Sequence, residues 1–289
     1  MSIAKVVCAY KQGRDCPIKA DIYRVPSANA PSVLYIHGGA LIFGSRHDIA
    51  DGRIKMLNDA GFAVCSIDYR LAPETKLEYI WEDVEDALAW LAGDGARLFG
   101  LDPGRIAVMG NSAGGYLSLA TGTFDVKPKA IVSFYGYGDI LGDWYCKPSE
   151  FYCREPEVSK VEAMRVIGDR EVTEGNRYKF YLYCRQQGIW TETVSGYSQT
   201  SEKDKIKRFC PSGQVGVDYP PTLLLHGDQD TDVPYGQSVQ MAAELKKQGM
   251  DCELITIKDG RHGFDYDMKN PNVVSALEQV MKFLKKHLT

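Results

Sequence analysis

The sequence has 289 residues, of which 44% are hydrophobic and 25% are charged, and its formal net charge is −4. These values are ordinary for a globular chain, and an α/β domain of this length is commonly a single one. The slight negative charge, without a basic stripe, argues against nucleic acid as a general partner. No apolar run approaches the roughly 18 residues of a membrane span, so we expect no membrane partner.

The N-terminal residues 1–5 do not combine a charged start with an apolar core, which predicts a chain without a signal peptide. The cysteines stand at positions 8, 16, 65, 146, 153, 184, 210 and 252. They form no C-x-x-C pair and no Cys/His cluster with zinc spacing. We therefore expect a cytoplasmic protein with free thiols and no metal, with a local disulfide among the four cysteines of 146–210 as the alternative.

The first part of the chain alternates between the patterns of strands and of helices. Strands are predicted over 5–10 and 18–25, as an opening hairpin, and over 32–36 and 62–69; helices are predicted over 50–60 and 81–98. The strand over 32–36 is continuously apolar and ends in His37-Gly38-Gly39-Ala40. Two glycines after a buried strand allow backbone N–H groups to turn outward, so this segment is a candidate oxyanion site or, more simply, a tight turn.

The most informative stretch joins a buried strand beginning at Ile106 to a helix that includes residues 115–120. Between them lies Gly110-x-Ser112-x-Gly114. A serine on so tight a strand-to-helix turn adopts a strained backbone conformation, and side chains two residues before and after it would collide. Such a turn lifts the hydroxyl above the sheet edge, at the N-terminus of the following helix. The pattern favours a catalytic nucleophile at Ser112.

Further strands and helices follow the same alternation. Strands are predicted over 130–135, 220–225 and 253–257, with helices over about 236–247 and 272–287. This alternation specifies an α/β fold: a mostly parallel, twisted sheet with helices on both faces and right-handed crossovers.

Residues 139–219 break the alternation and hold 12 aromatic side chains in 81 positions. Within them, Thr173 is a candidate N-cap for a helix that ends at Gln187, and a second short helix is predicted over 158–167. We interpret 139–219 as an inserted helical cap over the strand ends. Residues 1–138 and 220–289 then form the core domain.

A serine hydroxyl needs a base within hydrogen-bond reach and a third group that orients that base. Of the histidines at 37, 47, 226, 262 and 287, only His262 lies on a loop directly after a late strand with glycines beside it. Three acids, Asp228, Asp230 and Asp232, follow the strand that ends at Leu225 and compete to orient His262. Spacing alone leaves that choice open.

Four motifs carry a family resemblance. They are His37–Ala40 with Gly44-Ser45, like H-G-G-G; Asp68–Glu74, which reads D-Y-R-L-A-P-E; Gly110–Gly115, like G-D-S-A-G-G; and His262–Phe264, which reads H-G-F. On these motifs the chain resembles α/β-hydrolase fold esterases of the hormone-sensitive-lipase-like carboxylesterase group. The resemblance implies that Ser112 is the nucleophile and His262 the base. It also implies that Gly38, Gly39 and Ala113 donate backbone N–H groups to the oxyanion.

The chain departs from that group at Asn111, where an aspartate is usual, and at Ala40, where a third glycine is usual. Its acid motif, His226-Gly-x-x-Asp230-x-x-Val233-Pro234, instead resembles that of acetylxylan-type esterases and prolyl-oligopeptidase-like catalytic domains. This second resemblance implies Asp230 as the acid.

Together these observations predict a serine hydrolase that cleaves small esters through an acyl-enzyme, without a cofactor. The aromatic cap favours short acyl or aryl groups. An amidase, such as a formamidase, or a small peptidase with the same triad is the alternative, and a non-catalytic ligand-binding protein on this scaffold is a third. The expected partner is a small-molecule ester, and a homodimer remains an option.

Overall fold

The computed structural model describes residues 4–172 and 175–289, and its centre is one eight-stranded sheet. The strands are β1 (Val6–Gln12), β2 (Pro17–Tyr23), β3 (Ala30–Ile36), β4 (Ala63–Ile67), β5 (Leu101–Asn111), β6 (Ala130–Phe134), β7 (Thr222–Gly227) and β8 (Cys252–Ile257). Their order across the sheet is β1-β2-β4-β3-β5-β6-β7-β8. The β1–β2 and β2–β4 pairs are antiparallel, and the other neighbours are parallel. The predicted opening hairpin and mostly parallel α/β sheet are therefore confirmed.

The helices of the core lie on both faces of this sheet. They are α1 (Asp51–Asp59), α2 (Leu77–Trp90), α3 (Ala96–Phe99), α4 (Ala113–Ala120), α10 (Gly236–Lys247) and α11 (Pro271–Leu288); the numbers in between belong to the helices of residues 139–219. The helix predicted over 81–98 begins a turn earlier, because Leu77 and Ile80 already belong to its buried face. It also passes through a π-helical turn, Leu91–Gly95, before α3.

Alternate residues of the central strands supply two separate hydrophobic layers. On β3, Leu34 and Ile36 belong to the layer that α2 covers, whereas Val33 and Tyr35 belong to the layer that α11 covers. All of these side chains are buried, as expected for a parallel strand with helices on both faces. The continuously apolar runs in the sequence follow from this double covering.

The parallel strands end at a common edge, which determines where the loops meet. Register pairs Ile36 of β3 with Gly110 of β5, and Gly227 of β7 with Ile257 of β8. Because neighbouring parallel strands present their carboxyl ends at the same edge, the loops after β3, β5, β7 and β8 converge there.

Residues 139–219, which we call the insertion, connect β6 to β7 and contain short helices. These are α5 (Asp143–Cys146), α6 (Lys160–Met164), α7 (Tyr178–Gln187), α8 (Trp190–Ser195) and α9 (Lys203–Lys207). The helix predicted to end at Gln187 does so, and Gly188 follows it in the left-handed conformation (φ 66°). The proposed N-cap Thr173 lies outside the described residues. The domain boundaries at 138/139 and 219/220 remain a prediction.

Two sequence-based expectations concern the covalent state and the membrane. All eight cysteines are free thiols, so the alternative of a disulfide within 146–210 is not realised. Within residues 4–172 and 175–289, no helix is both long enough and apolar enough to cross a bilayer.

Candidate active site

Ser112 occupies the sharp turn between β5 and α4. Its backbone is strained, with φ 54° and ψ −120°. A Cβ at Gly110 would lie 2.3 Å from the carbonyl oxygen of Gly114, and one at Gly114 would lie 2.0 Å from that of Ile36. Both contacts are closer than real Cβ atoms allow, so the two glycines that flank the serine in the sequence motif are sterically required.

The structure brings Ser112, His262 and Asp230 into one hydrogen-bonded line. The Ser112 hydroxyl donates to Nε2 of His262 at 3.1 Å, and Nδ1 of His262 donates to Oδ2 of Asp230 at 2.7 Å. Each residue comes from a different loop at the carboxyl edge of the sheet: after β5, after β8 and after β7. The geometry is that of a nucleophile, a base and an acid that orients the base.

Asp230 is held from both sides. Its Oδ1 accepts the backbone N–H groups of Asp232 and Val233 at 2.8 and 2.9 Å, while Oδ2 also lies 3.3 Å from Nε2 of His226. Burial by itself raises the pKa of Asp230, but hydrogen bonds from His226 and His262 outweigh it and hold the pKa well below the usual range. Asp230 is therefore a carboxylate at neutral pH.

His262 is surrounded by negative charge. Burial alone would lower the pKa of its imidazole, but the hydrogen bond to Asp230 and the charges of Asp232, Asp230 and Asp265 raise it above the usual value. The ring of Tyr135 meets the imidazole edge-on, with centroids 4.6 Å apart. The site therefore favours the imidazolium that forms when the histidine accepts a proton.

The other two candidate acids have different surroundings. Asp228 is exposed, and its Oδ1 accepts the backbone N–H of Asp259 at 2.7 Å. Asp232 lies 3.6 Å from Nε2 of His262, on the side of the imidazole opposite to the Asp230 hydrogen bond. Of the three acids, Asp230 is the one that geometry places on Nδ1.

The loop after β3 contributes Gly38 and Gly39 to the same cavity as Ser112. Gly39 has φ 96°, and a Cβ there would lie 2.0 Å from the carbonyl oxygen of Phe43. Ala40, which stands where the resembling group has a third glycine, adopts φ 54°. Ala113 is the first residue of α4, where a backbone N–H has no intrahelical acceptor.

The cavity above Ser112 has a volume of about 230 Å³. Besides the glycines and the Ser112–His262 pair, five aromatic side chains line it: Phe43, Tyr135, Tyr178, Tyr181 and Tyr266. Two of them, Tyr178 and Tyr181, come from α7 of the insertion. Wider grooves of about 620 and 790 Å³ lie elsewhere on the surface, and neither includes Ser112.

Beneath the site, a buried polar network includes Asn111, the residue that departs from the family pattern. The Tyr35 hydroxyl donates to Oδ1 of Asn111 at 3.0 Å, and Nδ2 of Asn111 donates to the Tyr135 hydroxyl at 3.3 Å. Tyr135 in turn donates to Asp265, which is paired with the buried Arg53. A neutral amide suits this place because it both accepts and donates. Sequence reasoning missed the network, since its members lie on five separate segments.

Two side chains of the insertion bind the loop after β3. The indole N–H of Trp190 donates to the carbonyl oxygen of Ala40 at 3.0 Å, and Arg177 donates to that of Ile42 at 2.9 Å. Arg177 is also paired with Glu74 at 2.7 Å, and both side chains are almost fully buried. The sequence does not predict these contacts. It indicates only that the polar end of a buried Trp or Arg needs a hydrogen-bond partner.

The side chains of His37 and His226 lie against backbone carbonyl groups. His37 Nδ1 lies 2.8 Å from the carbonyl oxygen of Gly38, and His226 Nε2 lies 3.0 Å from that of Val233. In the part of the chain that the structure describes, His, Cys, Asp and Glu side chains form no group of three or more suited to a metal ion.

Comparisons with known proteins agree with this fold. The BD-FAE family model matches residues 20–245. An esterase from Pyrobaculum calidifontis superposes with a TM-score of 0.71 at 26% identity, over 98% of this chain and 85% of that one. An alpha/beta hydrolase superfamily protein from Enterococcus faecalis superposes with a TM-score of 0.75 at 21% identity, over 99% and 100%. The α/β-hydrolase fold is confirmed.

Among curated proteins, the non-reducing polyketide synthase pkbA of Emericella nidulans is 30% identical over 321 residues. The match covers 89% of this chain but 13% of the synthase. The chain thus spans about one eighth of the length of this relative.

Proposed function

The chain belongs to the BD-FAE family, and from this we propose that it hydrolyses carboxylic esters with Ser112 as the nucleophile. The observation that carries the proposal is the hydrogen-bonded line from Ser112 through His262 to Asp230, with the glycine loop in the same cavity as Ser112. The likeness to an esterase at 26% identity supports the same reaction class.

In the proposed reaction, His262 accepts the Ser112 proton on Nε2 as Oγ attacks the ester carbonyl. Asp230 holds the imidazole with its proton on Nδ1 and stabilises the imidazolium that forms. The backbone N–H groups of Gly38, Gly39 and Ala113 are the proposed donors to the oxyanion. Donors of this kind contribute about 10²–10³ each to the rate in comparable enzymes.

The intermediate collapses when His262 returns its proton to the departing alcohol, which leaves an acyl group on Ser112. Water then attacks that acyl group while His262 takes a proton from it. His262 returns this proton to Oγ of Ser112 as the bond between Oγ and the acyl carbon breaks, and the acid is released. These steps use the side chains of Ser112, His262 and Asp230, the backbone donors and a water molecule.

Cavity size supports a small acyl group. The volume of about 230 Å³ lies below the ~300–1,000 Å³ of typical ligand sites. Five aromatic rings around this space favour short or flat groups over long alkyl chains. We propose that the insertion acts as the cap, because α7 supplies Tyr178 and Tyr181 to the lining. A series of p-nitrophenyl esters should peak at short chains, and a maximum at long-chain esters would contradict this.

The decisive experiment labels the protein with a fluorophosphonate probe. Mass spectrometry should find one label per chain, on the peptide that contains Ser112. Ser112→Ala should abolish both labelling and turnover, whereas Ser275→Ala, on the exposed side of α11, should leave both unchanged. Turnover by Ser112→Ala equal to that of the unaltered protein would overturn the proposal. Parallel assays of p-nitrophenyl acetate and the matching anilide separate esterase from amidase.

A further inference from the structure

Asp232 is a second carboxylate beside the base, and the proposed reaction gives it no role. Its Oδ2 lies 3.6 Å from Nε2 of His262, the nitrogen that faces Ser112. Asp232 also lines the cavity above Ser112. A charge so close to the nitrogen that gains and loses a proton must affect that proton's energy.

The insertion fixes the position of Asp232. Oδ1 accepts the Tyr181 hydroxyl at 2.5 Å and the Arg185 guanidinium at 2.6 Å, and a second guanidinium nitrogen lies 3.3 Å from the Asp232 carbonyl oxygen. Both donors come from α7, one helical turn apart. Burial keeps the pKa of Tyr181 well above its usual value, so the phenol remains a donor.

Arg185 is itself immobilised. Its side chain is 2% exposed and lies near the rings of Trp144, Tyr145, Tyr152 and Tyr181, at 4.8–5.7 Å from their centroids. The guanidinium binds Oδ1, whereas Oδ2 is the oxygen nearest to the imidazole. The positive charge of Arg185 therefore orients Asp232 and reduces its effect on His262 without cancelling it.

We propose that Asp232, oriented by Tyr181 and Arg185 of the insertion, is a positioning residue that stabilises the positive charge on His262 while Ser112 is deprotonated. Asp230 acts on Nδ1, and Asp232 acts near Nε2, so the imidazolium lies between two carboxylates. This inference rests on the proposed function, and it makes the base strength of His262 depend on the insertion.

Other ionisable groups also face His262 and must be held constant in a test. Asp230 contacts Nδ1, and Asp265, with its partner Arg53, acts from the loop and from α1. His226 contacts Asp230 from behind. The phenols that line the cavity, from β6, α7 and the His262 loop, are Tyr135, Tyr178, Tyr181 and Tyr266. Because burial raises the pKa of each of them, they stay neutral across the acid range.

The test is the pH profile of kcat/KM for p-nitrophenyl acetate in Asp232→Asn. The acid limb of this profile reports the protonation of His262. Removing the nearby negative charge should move that limb to lower pH by about one unit. It should lower the plateau by less than about tenfold, because a weaker base loses only part of its advantage. A merely structural role would reduce activity without moving the limb. Asp228→Asn, on the same loop but bound to Asp259, is the matched control and should move nothing.

Asp232→Asn leaves Arg185 without a carboxylate, so folding must be checked by thermal melting. If this variant does not fold, Tyr181→Phe is the deciding test. It keeps the ion pair between Arg185 and Asp232 but removes one hydrogen-bond donor from Asp232. The acid limb should then move to higher pH by a few tenths of a unit. An unmoved limb in folded Asp232→Asn, or in Tyr181→Phe where that variant decides, overturns the role of Asp232. Turnover by Ser112→Ala would overturn the proposed function instead, so the two failures are distinguishable.

Discussion

The sheet and the insertion contribute to the candidate site in different ways. Loops at the sheet edge supply the Ser112–His262–Asp230 line and the glycine amides. The insertion supplies buried donors that bind those loops from outside: Trp190 to Ala40, Arg177 to Ile42 and Arg185 to Asp232. The proposed reactive groups therefore come from the sheet edge, whereas the insertion adds contacts that hold their loops in place. Variants on each side can test that division.

The largest effect is expected on the sheet side, in Asp230→Asn. The asparagine oxygen can still accept the N–H groups of Asp232 and Val233, which leaves the amide NH₂ facing His262. The imidazole must then carry its proton on Nε2 and cannot accept one from Ser112. We expect kcat to fall about 10⁴-fold, as for the same change in other serine hydrolases. Steady-state kinetics with a short ester measure this change. A decrease in kcat of less than tenfold would contradict the proposed role of Asp230.

The next effect is expected where the two regions meet, in Glu74→Gln. This change removes the negative charge of Glu74 from beside the buried Arg177. Removing one charge of a buried ion pair costs up to about 3–5 kcal/mol of the free energy of unfolding, because the remaining charge loses attraction that offset its desolvation. Urea denaturation measures the loss. The control is Asp59→Asn, which breaks the exposed Lys55–Asp59 pair and should cost less than about 1 kcal/mol. Equal losses in both variants would contradict the importance of this contact.

A smaller effect is expected in Trp190→Phe, which keeps most of the ring but removes the donor to Ala40. Leaving that buried carbonyl unpaired should cost about 1–3 kcal/mol of stability. Because the carbonyl belongs to the loop of Gly38 and Gly39, kcat should fall while KM stays nearly constant.

Trp81→Phe is the matched control for that prediction. It also removes an indole hydrogen bond, to Tyr116 at 3.0 Å, but away from the glycine loop. Stability should fall similarly in the two variants, and kcat should fall only in Trp190→Phe. A similar loss of kcat in both would indicate a general effect of destabilisation.

The smallest effect concerns the pH dependence of stability. The pKa of His262 is raised in the folded state, so the folded protein binds its proton more tightly than the unfolded chain does. The resulting stabilisation is complete below the ordinary histidine pKa and is lost as pH rises through the raised value. Urea denaturation between pH 5 and 9 should show this decline in the unaltered protein and a smaller one in His262→Gln. Identical curves would contradict the raised pKa.

The same two regions differ in what sequence alone could predict. The strands of the core follow from apolar runs that are buried on both faces, and Gly110, Ser112 and Gly114 follow from the steric demands of one turn. The order of serine, acid and histidine, together with the family motifs, predicts Asp230 and His262. The roles of these residues remain predictions for the experiments above.

The sequence predicts the insertion only as an aromatic, helical segment. Its contacts join residues more than 40 positions apart, such as Arg185 with Asp232 and Trp190 with Ala40. The pattern of residue types along the sequence does not indicate which of these distant residues pair. Asn111 could be seen as a departure from the family motif, but its hydrogen bonds to Tyr35 and Tyr135 depend on the sheet being assembled. Local periodicity predicts elements, whereas these pairs depend on tertiary packing.

The indole of Trp190 on the carbonyl of Ala40 has a practical consequence for protein engineering. A chimera that exchanges 139–219 for the corresponding segment of another hydrolase, in order to alter which acyl groups fit, would also discard this donor and that of Arg177. Such a graft needs replacement partners for Ala40 and Ile42, or its new pocket will sit above a misplaced glycine loop.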